Sequence, residues 1–296
     1  MTPIVAVIAM GEMGAGLASL MVESKAQVRT YLVGRSNSSF ERARKAGVEI
    51  VDSEPALLSN ADFFLSIVPP AIAKATAKRY APLLRELEKK PVYVDCNAVS
   101  PYTVHEVGRI IEESGAEFVD ACLLGNAPAP GRALPRMFLS GSVAQKVLLL
   151  SEYGLVMKSL KGEIGQASAL KCAYAALGKG ITAIAAWSVL GAQQNGVIDT
   201  FADEVAQYQP QLAPLLAKML PEMFPKANRW VAEMEEIGSF LSAVPGGEVG
   251  FKNISSFYDA IAKQGRDEAV GTDTDLVRVI KDFLATKAIG TRTEEE

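Results

Sequence analysis

Residues 4–17 read IVAVIAMGEMGAGL, a β-branched apolar run that breaks into glycines and then into helix-forming residues. Strand, tight turn and helix in this order form the opening unit of a dinucleotide-binding fold. The helix start presents backbone N–H groups, and the positive end of its dipole, to a pyrophosphate. The strict pattern is G-x-G-x-x-G, and here Ala9-Met10-Gly11-Glu12-Met13-Gly14 stands in its place. Ala9 replaces the first glycine, so the turn must be made with a methyl present. Gly11 still permits close approach of backbone to phosphate, and Gly14 still permits close packing of helix on strand. The backbone of Gly11, Glu12, Met13 and Gly14 is therefore the expected phosphate cradle.

The second strand reads from Gln27 to Leu32 and is followed by Val33-Gly34-Arg35-Ser36. A site for NAD places an Asp or Glu at this strand end, where it binds the ribose 2′-hydroxyl. No acid occurs here before Glu41. A guanidinium and a hydroxyl suit a 2′-phosphate instead, because arginine grips phosphate bidentately. Arg35 and Ser36 thus point to NADPH/NADP⁺.

The chain has 296 residues, enough for two domains with sizeable cores. A formal net charge of −4 argues against a nucleic-acid partner. The first residues lack a cationic stretch ahead of the apolar run, so no signal peptide is read and a cytoplasmic location is expected. The apolar segment Cys172–Ala192 is flanked by Lys171, interrupted by Lys179, and rich in Ala and Gly. A helix packed on all sides explains it better than a membrane span. Cys96, Cys122 and Cys172 are odd in number and widely spaced, and His105 is the only histidine. That pattern supports neither a disulfide framework nor a metal site, and it removes histidine triads. His105 reads as an exposed helical residue.

The first half alternates strands with amphipathic helices. Strand-like runs fall at Ile4–Met10, Val28–Leu32, Asp62–Val68, Val92–Asp95, Glu117–Asp120, Arg136–Ser140 and Leu155–Leu160. Such alternation predicts a Rossmann-type, doubly wound parallel sheet, α/β in class. Ser100-Pro101 reads as the cap and first turn of a helix through Glu113. After about Glu163 only helical periodicity remains: Ala167–Asn195, Ala213–Met223, Ala227–Ser242, Asn253–Lys263 and Asp273–Leu284. We therefore expect a dinucleotide-binding domain over 1–162 and an all-α domain over 163–296, with a frayed tail at Thr291–Glu296. In the helical part, Trp230 and Met234 read as core, and Glu233, Glu235 and Glu236 as a solvated charged face.

Ligands of open α/β sheets bind at the carboxyl ends of the strands. Three segments are expected there: Ser66-Ile67-Val68-Pro69-Pro70, Asp95-Cys96-Asn97-Ala98-Val99-Ser100, and Asp120-Ala121-Cys122-Leu123-Leu124-Gly125-Asn126. Val68, Pro69 and Pro70 can present backbone to a nicotinamide ribose. A fourth segment, Gly165–Lys171, opens the long helix. Lys171 sits among small apolar residues. Burial would favour its neutral form and suit it to proton transfer. An ordinary lysine extending from a helix surface to water is the other reading. Tyr174 lies three residues on, on a neighbouring face, either donating to a substrate oxygen or packing with its hydroxyl satisfied.

Together these segments resemble the β-hydroxyacid dehydrogenase and 6-phosphogluconate dehydrogenase superfamily, over nearly the whole chain. The glycine turn is similar to that family's G-L-G-x-M-G, and Gly165…Lys171 to its G-x-G-x-x-x-K with Ala167 at the second glycine. The resemblance implies that Lys171 is the catalytic acid/base and that the chain forms homodimers through its helical domain. It departs from the family in three places. Tyr174 stands at the asparagine of K-x-x-N, Asn97 at the first hydroxyl residue of V-D-x-S-T, and Leu124 and Asn126 at the serine and last glycine of D-A-P-V-S-G-G. The stretches SALKCAYAALGKG, DCNAVSP, PRMFLSG and RWVAEMEEI point to a divergent branch with a distinct C-terminal domain.

The resemblance implies an NADPH-dependent oxidoreductase that moves a hydride between nicotinamide and a C=O/CH–OH carbon of a small substrate. Lys171 would supply the proton, Tyr174 and Asn97 would orient the oxygen, and Leu124, Gly125 and Asn126 would border the substrate. Leu124 and Ala98 in place of polar residues imply a pocket favouring uncharged ketones, aldehydes or imines over hydroxy acids. Imine reduction on the same fold, as in a superfamily branch that usually lacks this lysine, is the alternative chemistry. An NADP(H)-binding sensor or interaction protein of little turnover is the non-enzymatic one.

Overall fold

The computed structural model describes residues 2–264 and 275–285. The expected tail Thr291–Glu296, and the first two residues of the expected last helix, lie outside them. The chain divides into two compact units, Met1–Ala173 and Tyr174–Glu296. That division falls inside the long helix, beyond the change of pattern expected at 162/163. The cause is local: Ala167, Ser168 and Cys172 in the helix's first turns are buried in the first unit.

The first unit is an eight-stranded sheet with helices. In chain order its elements are β1 (Ile4–Ile8), α1 (Glu12–Glu23), β2 (Gln27–Tyr31), α2 (Asn37–Lys45), β3 (Glu49–Val51), α3 (Glu54–Leu58), β4 (Phe63–Ser66), α4 (Ala73–Glu86), β5 (Val92–Asp95), α5 (Pro101–Glu112), β6 (Phe118–Leu124), β7 (Arg136–Ser140), α6 (Ala144–Val147) and β8 (Val156–Ser159). The strand order is β3-β2-β1-β4-β5-β6-β7-β8. All neighbours run parallel except β6 and β7. The order reverses outward from β1 and β4, the arrangement that leaves a ligand crevice at the strand ends. Both faces are apolar: Val5, Val7, Leu65, Val94, Val119 and Leu139 pack on one side, and Ala6, Ile8, Phe64, Tyr93 and Phe118 on the other. Burial on two sides explains why the central strands read as continuous apolar runs rather than as alternating ones.

One row across the sheet breaks this rule. In register, Ile8 pairs with Ser66, Ser66 with Asp95, Asp95 with Asp120, and Asp120 with Ser140. Four successive strands therefore carry a polar side chain at one level, and all four side chains are fully buried.

The helical unit contains most of α7 (Gln166–Gln194), then α8 (Ile198–Tyr208), α9 (Leu212–Met223), α10 (Ala227–Phe240), α11 (Gly247–Gln264) and α12 (Asp275–Leu284). Trp230 packs edge-on to Tyr258, and the Tyr258 hydroxyl donates to the Lys179 carbonyl at 2.6 Å. Trp230 and Met234 are core residues, as read from the sequence. Glu233 is not on a solvated face: it is buried and takes a hydrogen bond from the Lys179 ammonium, with Arg229 alongside. A buried carboxylate needs such a partner, and only the folded chain brings Lys179 to it. By length and composition α7 could cross a membrane. Its first turns are instead built into the sheet unit, and Ala183, Ala186 and Val189 are buried.

Candidate active site

The turn after β1 forms a cradle. Gly11 caps α1 with φ −71°, and no side chain caps the helix start. The first amides of a helix have no intrahelical acceptor, so they are available to an anion. A Cβ built on Gly11 would meet no protein atom within 4 Å. Neither packing nor backbone conformation asks for glycine there, and its absent side chain leaves the space above the helix start clear. Gly14 differs: a Cβ there would overlap the Ala9 carbonyl oxygen. Helix and strand touch at this point, which is the task read for Gly14. Glu12 is exposed in the first turn and Met13 half-buried.

At the end of β2, Arg35 and Ser36 are exposed, and Ser36 opens α2 without capping it. The Ser36 hydroxyl lies 2.9 Å from that of Ser38 and 3.2 Å from that of Ser39. Arg42, one helical turn further, was missed in the sequence. Its Nε donates to the Met10 carbonyl at 2.8 Å and so braces the glycine turn from α2. Its separation of 32 residues from Met10 hides this contact from any local pattern.

Beyond β4, Val68 is buried, Pro69 exposed and Pro70 buried at the start of a short 3-10 turn that delays α4. Asn97 holds this segment. Its Oδ1 accepts the Val68 N–H at 2.7 Å, and its Nδ2 donates to Asp95 Oδ2 at 2.8 Å and Ser66 Oγ at 3.3 Å. With both ends of the amide engaged by protein, Asn97 is a strut for the β4 loop, not the group expected to orient a substrate oxygen.

The third segment corrects a boundary. The expected strand ended at Asp120, with a loop following. β6 runs on to Leu124 because it pairs antiparallel with β7 along Asp120–Leu124. Leu124 is therefore a strand residue whose side chain is buried with Cys122 and Ala167. With that side chain turned into protein, the structure does not support the expected role of Leu124 at the substrate border or in an apolar pocket. Gly125 and Asn126, past the strand end, are exposed.

Lys171 stands one turn into α7 and is half-buried. Its Nζ donates to the Leu123 carbonyl at 2.8 Å, at the carboxyl end of β6. The other reading, a lysine extending freely to water, does not describe this geometry. Tyr174 is 60 % exposed. Nearby, burial pushes the Cys122 thiol up to about 12, so it stays protonated and is no nucleophile at neutral pH.

A doubly wound sheet with an open glycine cradle at its crevice defines a fold of the dinucleotide-binding class. Residues 4–144 match the NAD-binding domain of 6-phosphogluconate dehydrogenase, and residues 192–262 match a domain of unknown function (DUF1932). The chain belongs to the 6-phosphogluconate dehydrogenase-like superfamily, with this second domain as its C-terminal part. It is 32 % identical over 192 residues to an uncharacterized 28.5 kDa protein of Methanothermus fervidus, covering 65 % of this chain and 72 % of that one. A conserved protein of unknown function, described as structurally similar to 3-hydroxyacid dehydrogenases, superposes with a TM-score of 0.66 at 29 % identity, over 88 % of this chain and 99 % of the other. The 3-hydroxyisobutyrate dehydrogenase of Mycobacterium tuberculosis gives 0.70 at 17 % identity, over 96 % and 100 %. The last of these likenesses is one of fold.

Proposed function

We propose that this protein is an NADPH-dependent oxidoreductase acting on a C=O/CH–OH carbon of a small substrate, with Lys171 as its acid/base. One observation carries the reading: the Lys171 ammonium is held at the carboxyl end of β6, at the edge where an open sheet takes its ligand. The residues present fit the cofactor. The space above Gly11 is clear of side chains, and β2 ends in Arg35 and Ser36 where a 2′-hydroxyl site needs a carboxylate. Arg35 offers a planar donor pair to a 2′-phosphate, and the Ser36, Ser38 and Ser39 hydroxyls add donors beside it.

When bound, the nicotinamide supplies or takes the hydride. The chain's residues do the rest. Amides at the start of α1 would hold the pyrophosphate. Asn97 fixes the Val68 segment, which would present backbone to the ribose end. In carbonyl reduction, Lys171 Nζ exchanges the Leu123 carbonyl for the substrate oxygen and gives it a proton. In the reverse direction the same nitrogen takes the proton from the hydroxyl. Tyr174, three residues along the helix, is a second donor for that oxygen. Two copies pair through the helical unit.

Titration calorimetry with NADPH and NADH, and a turnover screen over hydroxy acids, ketones, aldehydes and cyclic imines, test this reading. NADPH binds more tightly, and Arg35→Ala narrows the gap by about 1–3 kcal/mol, the range of a charge-assisted contact. Lys171→Ala lowers turnover about 10²–10⁴-fold while NADPH affinity holds. Equal affinity for both cofactors sinks the NADPH assignment, and near-normal turnover of Lys171→Ala sinks the acid/base one.

A further inference from the structure

We infer that Asp120 is the positioning residue for Lys171, a buried carboxylate that ties the start of α7 to β6 and so sets where the ammonium stands. Its functional meaning rests on the acid/base reading of Lys171.

Asp120 is fully buried. Its Oδ2 accepts the Gly165 N–H at 2.9 Å, the Ser168 N–H at 3.1 Å and the Ser140 hydroxyl at 2.9 Å. Its Oδ1 accepts the Ser168 hydroxyl at 2.7 Å. The Ser140 oxygen in turn accepts the Ala167 N–H at 3.0 Å. Three opening amides of α7 are thus satisfied from the sheet, two by a carboxylate and one by a hydroxyl the same carboxylate orients. Those amides have no acceptor within their own helix, and the helix dipole adds to their attraction for an anion. The turn into the helix is built for this grip. Gly165 has φ +99°, and a Cβ there would stand 3.0 Å from His105 Nε2.

The link to the lysine is geometric. Asp120 and Leu123 are three residues apart on β6, about 10 Å along the strand. Ser168 and Lys171 are three apart on α7, about 4.5 Å along the helix. Ser168 meets Asp120, and the long lysine side chain spans the remaining distance to the Leu123 carbonyl. Two points on the helix are therefore pinned to two points on one strand. Releasing the Asp120 end frees the helix start to shift, and the ammonium moves with it. A carboxylate serving stability alone would leave the lysine in place when its contacts are trimmed.

Competitive amine labelling of the intact protein, read at each lysine by mass spectrometry, separates these cases. Asp120→Asn turns an acceptor into a donor against a ring of donors. Ser168→Ala removes one hydroxyl, keeps the carboxylate, and serves should the first variant not fold. Lys171 labels about tenfold faster in Asp120→Asn and severalfold faster in Ser168→Ala, in line with the strength of charge-assisted hydrogen bonds. Lys74 and Lys158 label as in the unaltered protein, and NADPH affinity holds. On a substrate from the screen, kcat falls while KM for NADPH stays and the pH profile shifts. Unchanged Lys171 labelling in a folded variant overturns the inference, as does a uniform rise at every lysine. Full turnover of Lys171→Ala would overturn the acid/base reading alone and leave the labelling result standing.

Discussion

Asn97, just past β5, and Asp120, within β6, fall in segments where the sequence places polar side chains toward a ligand, yet both are turned inward. Asn97 is 2 % exposed and its amide is divided among Val68, Asp95 and Ser66. The cysteines beside them are equally enclosed. Burial, reinforced by the Asp95 charge, pushes the Cys96 thiol well up, and burial pushes Cys122 up to about 12. Both thiols are thus protonated at pH 8, and only thiolates react with alkylating agents. Iodoacetamide at pH 8 should leave Cys96 and Cys122 unmodified in the native protein and modify both once denaturant is added. Rapid native alkylation at either position, read by mass spectrometry, would contradict the burial described. At this scale Lys171 stands out along the chain as a lone charge inside a small apolar stretch, while its contact with the Leu123 carbonyl, 48 residues away, does not. Asp120 and Asn97 were not legible in their roles. The helix start that Asp120 holds at Gly165 and the loop that Asn97 holds at Val68 lie 45 and 29 residues away, and no local pattern carries such a separation.

Elements were legible where periodicity was strong and burial two-sided. The alternation of strands and helices disclosed the parallel sheet, whereas β3, three residues long, was too short to register. α8 was also missed, although Ile198, Phe201, Ala202 and Val205 recur at helical spacing; of these the structure fully buries Ala202. α11 begins at Gly247, before the expected Asn253, through two glycines that favour a loop on propensity alone. β6 outran its expected end because the partner that extends it, β7, is supplied by the fold. The unit strand–glycine turn–α1 gives the sharpest test at this scale, since its two glycines have separable duties. Gly14→Ala places a methyl on the Ala9 carbonyl and should cost about 1–3 kcal/mol or more of stability, as overpacking does. Gly11→Ala adds a methyl into open space at an ordinary φ, so thermal unfolding should shift little while NADPH affinity falls about tenfold or more. Calorimetric unfolding and NADPH titration on both variants check this. A Gly11→Ala protein that binds NADPH normally would show that the cradle does not hold the pyrophosphate.

For the whole molecule, the open question is what covers α7. One side of the helix is packed within its own chain: Ala183, Ala186 and Val189 are buried, and Lys179 is paired with Glu233. The other side carries Leu177, Ile184 and Trp187, exposed by 66, 58 and 40 %. Their spacing of seven and three residues fits the a and d positions of a coiled-coil seam, which in a folded protein faces another helix. Exposed apolar surface of this extent on one helix marks an interaction site. A second copy of the chain is the occupant we expect, because the same stripe on two copies is self-complementary about a two-fold axis. The pairing should bury above about 2,000 Å² in total, the range of permanent homodimers. Light scattering at micromolar concentration should then give twice the chain mass of 31.6 kDa. The double change Leu177→Glu and Ile184→Glu should give particles of single mass. These should retain NADPH affinity, since the glycine cradle and Arg35 lie in the sheet unit. An unaltered protein that is fully active as a 31.6 kDa particle would end this proposal and leave the stripe to another partner.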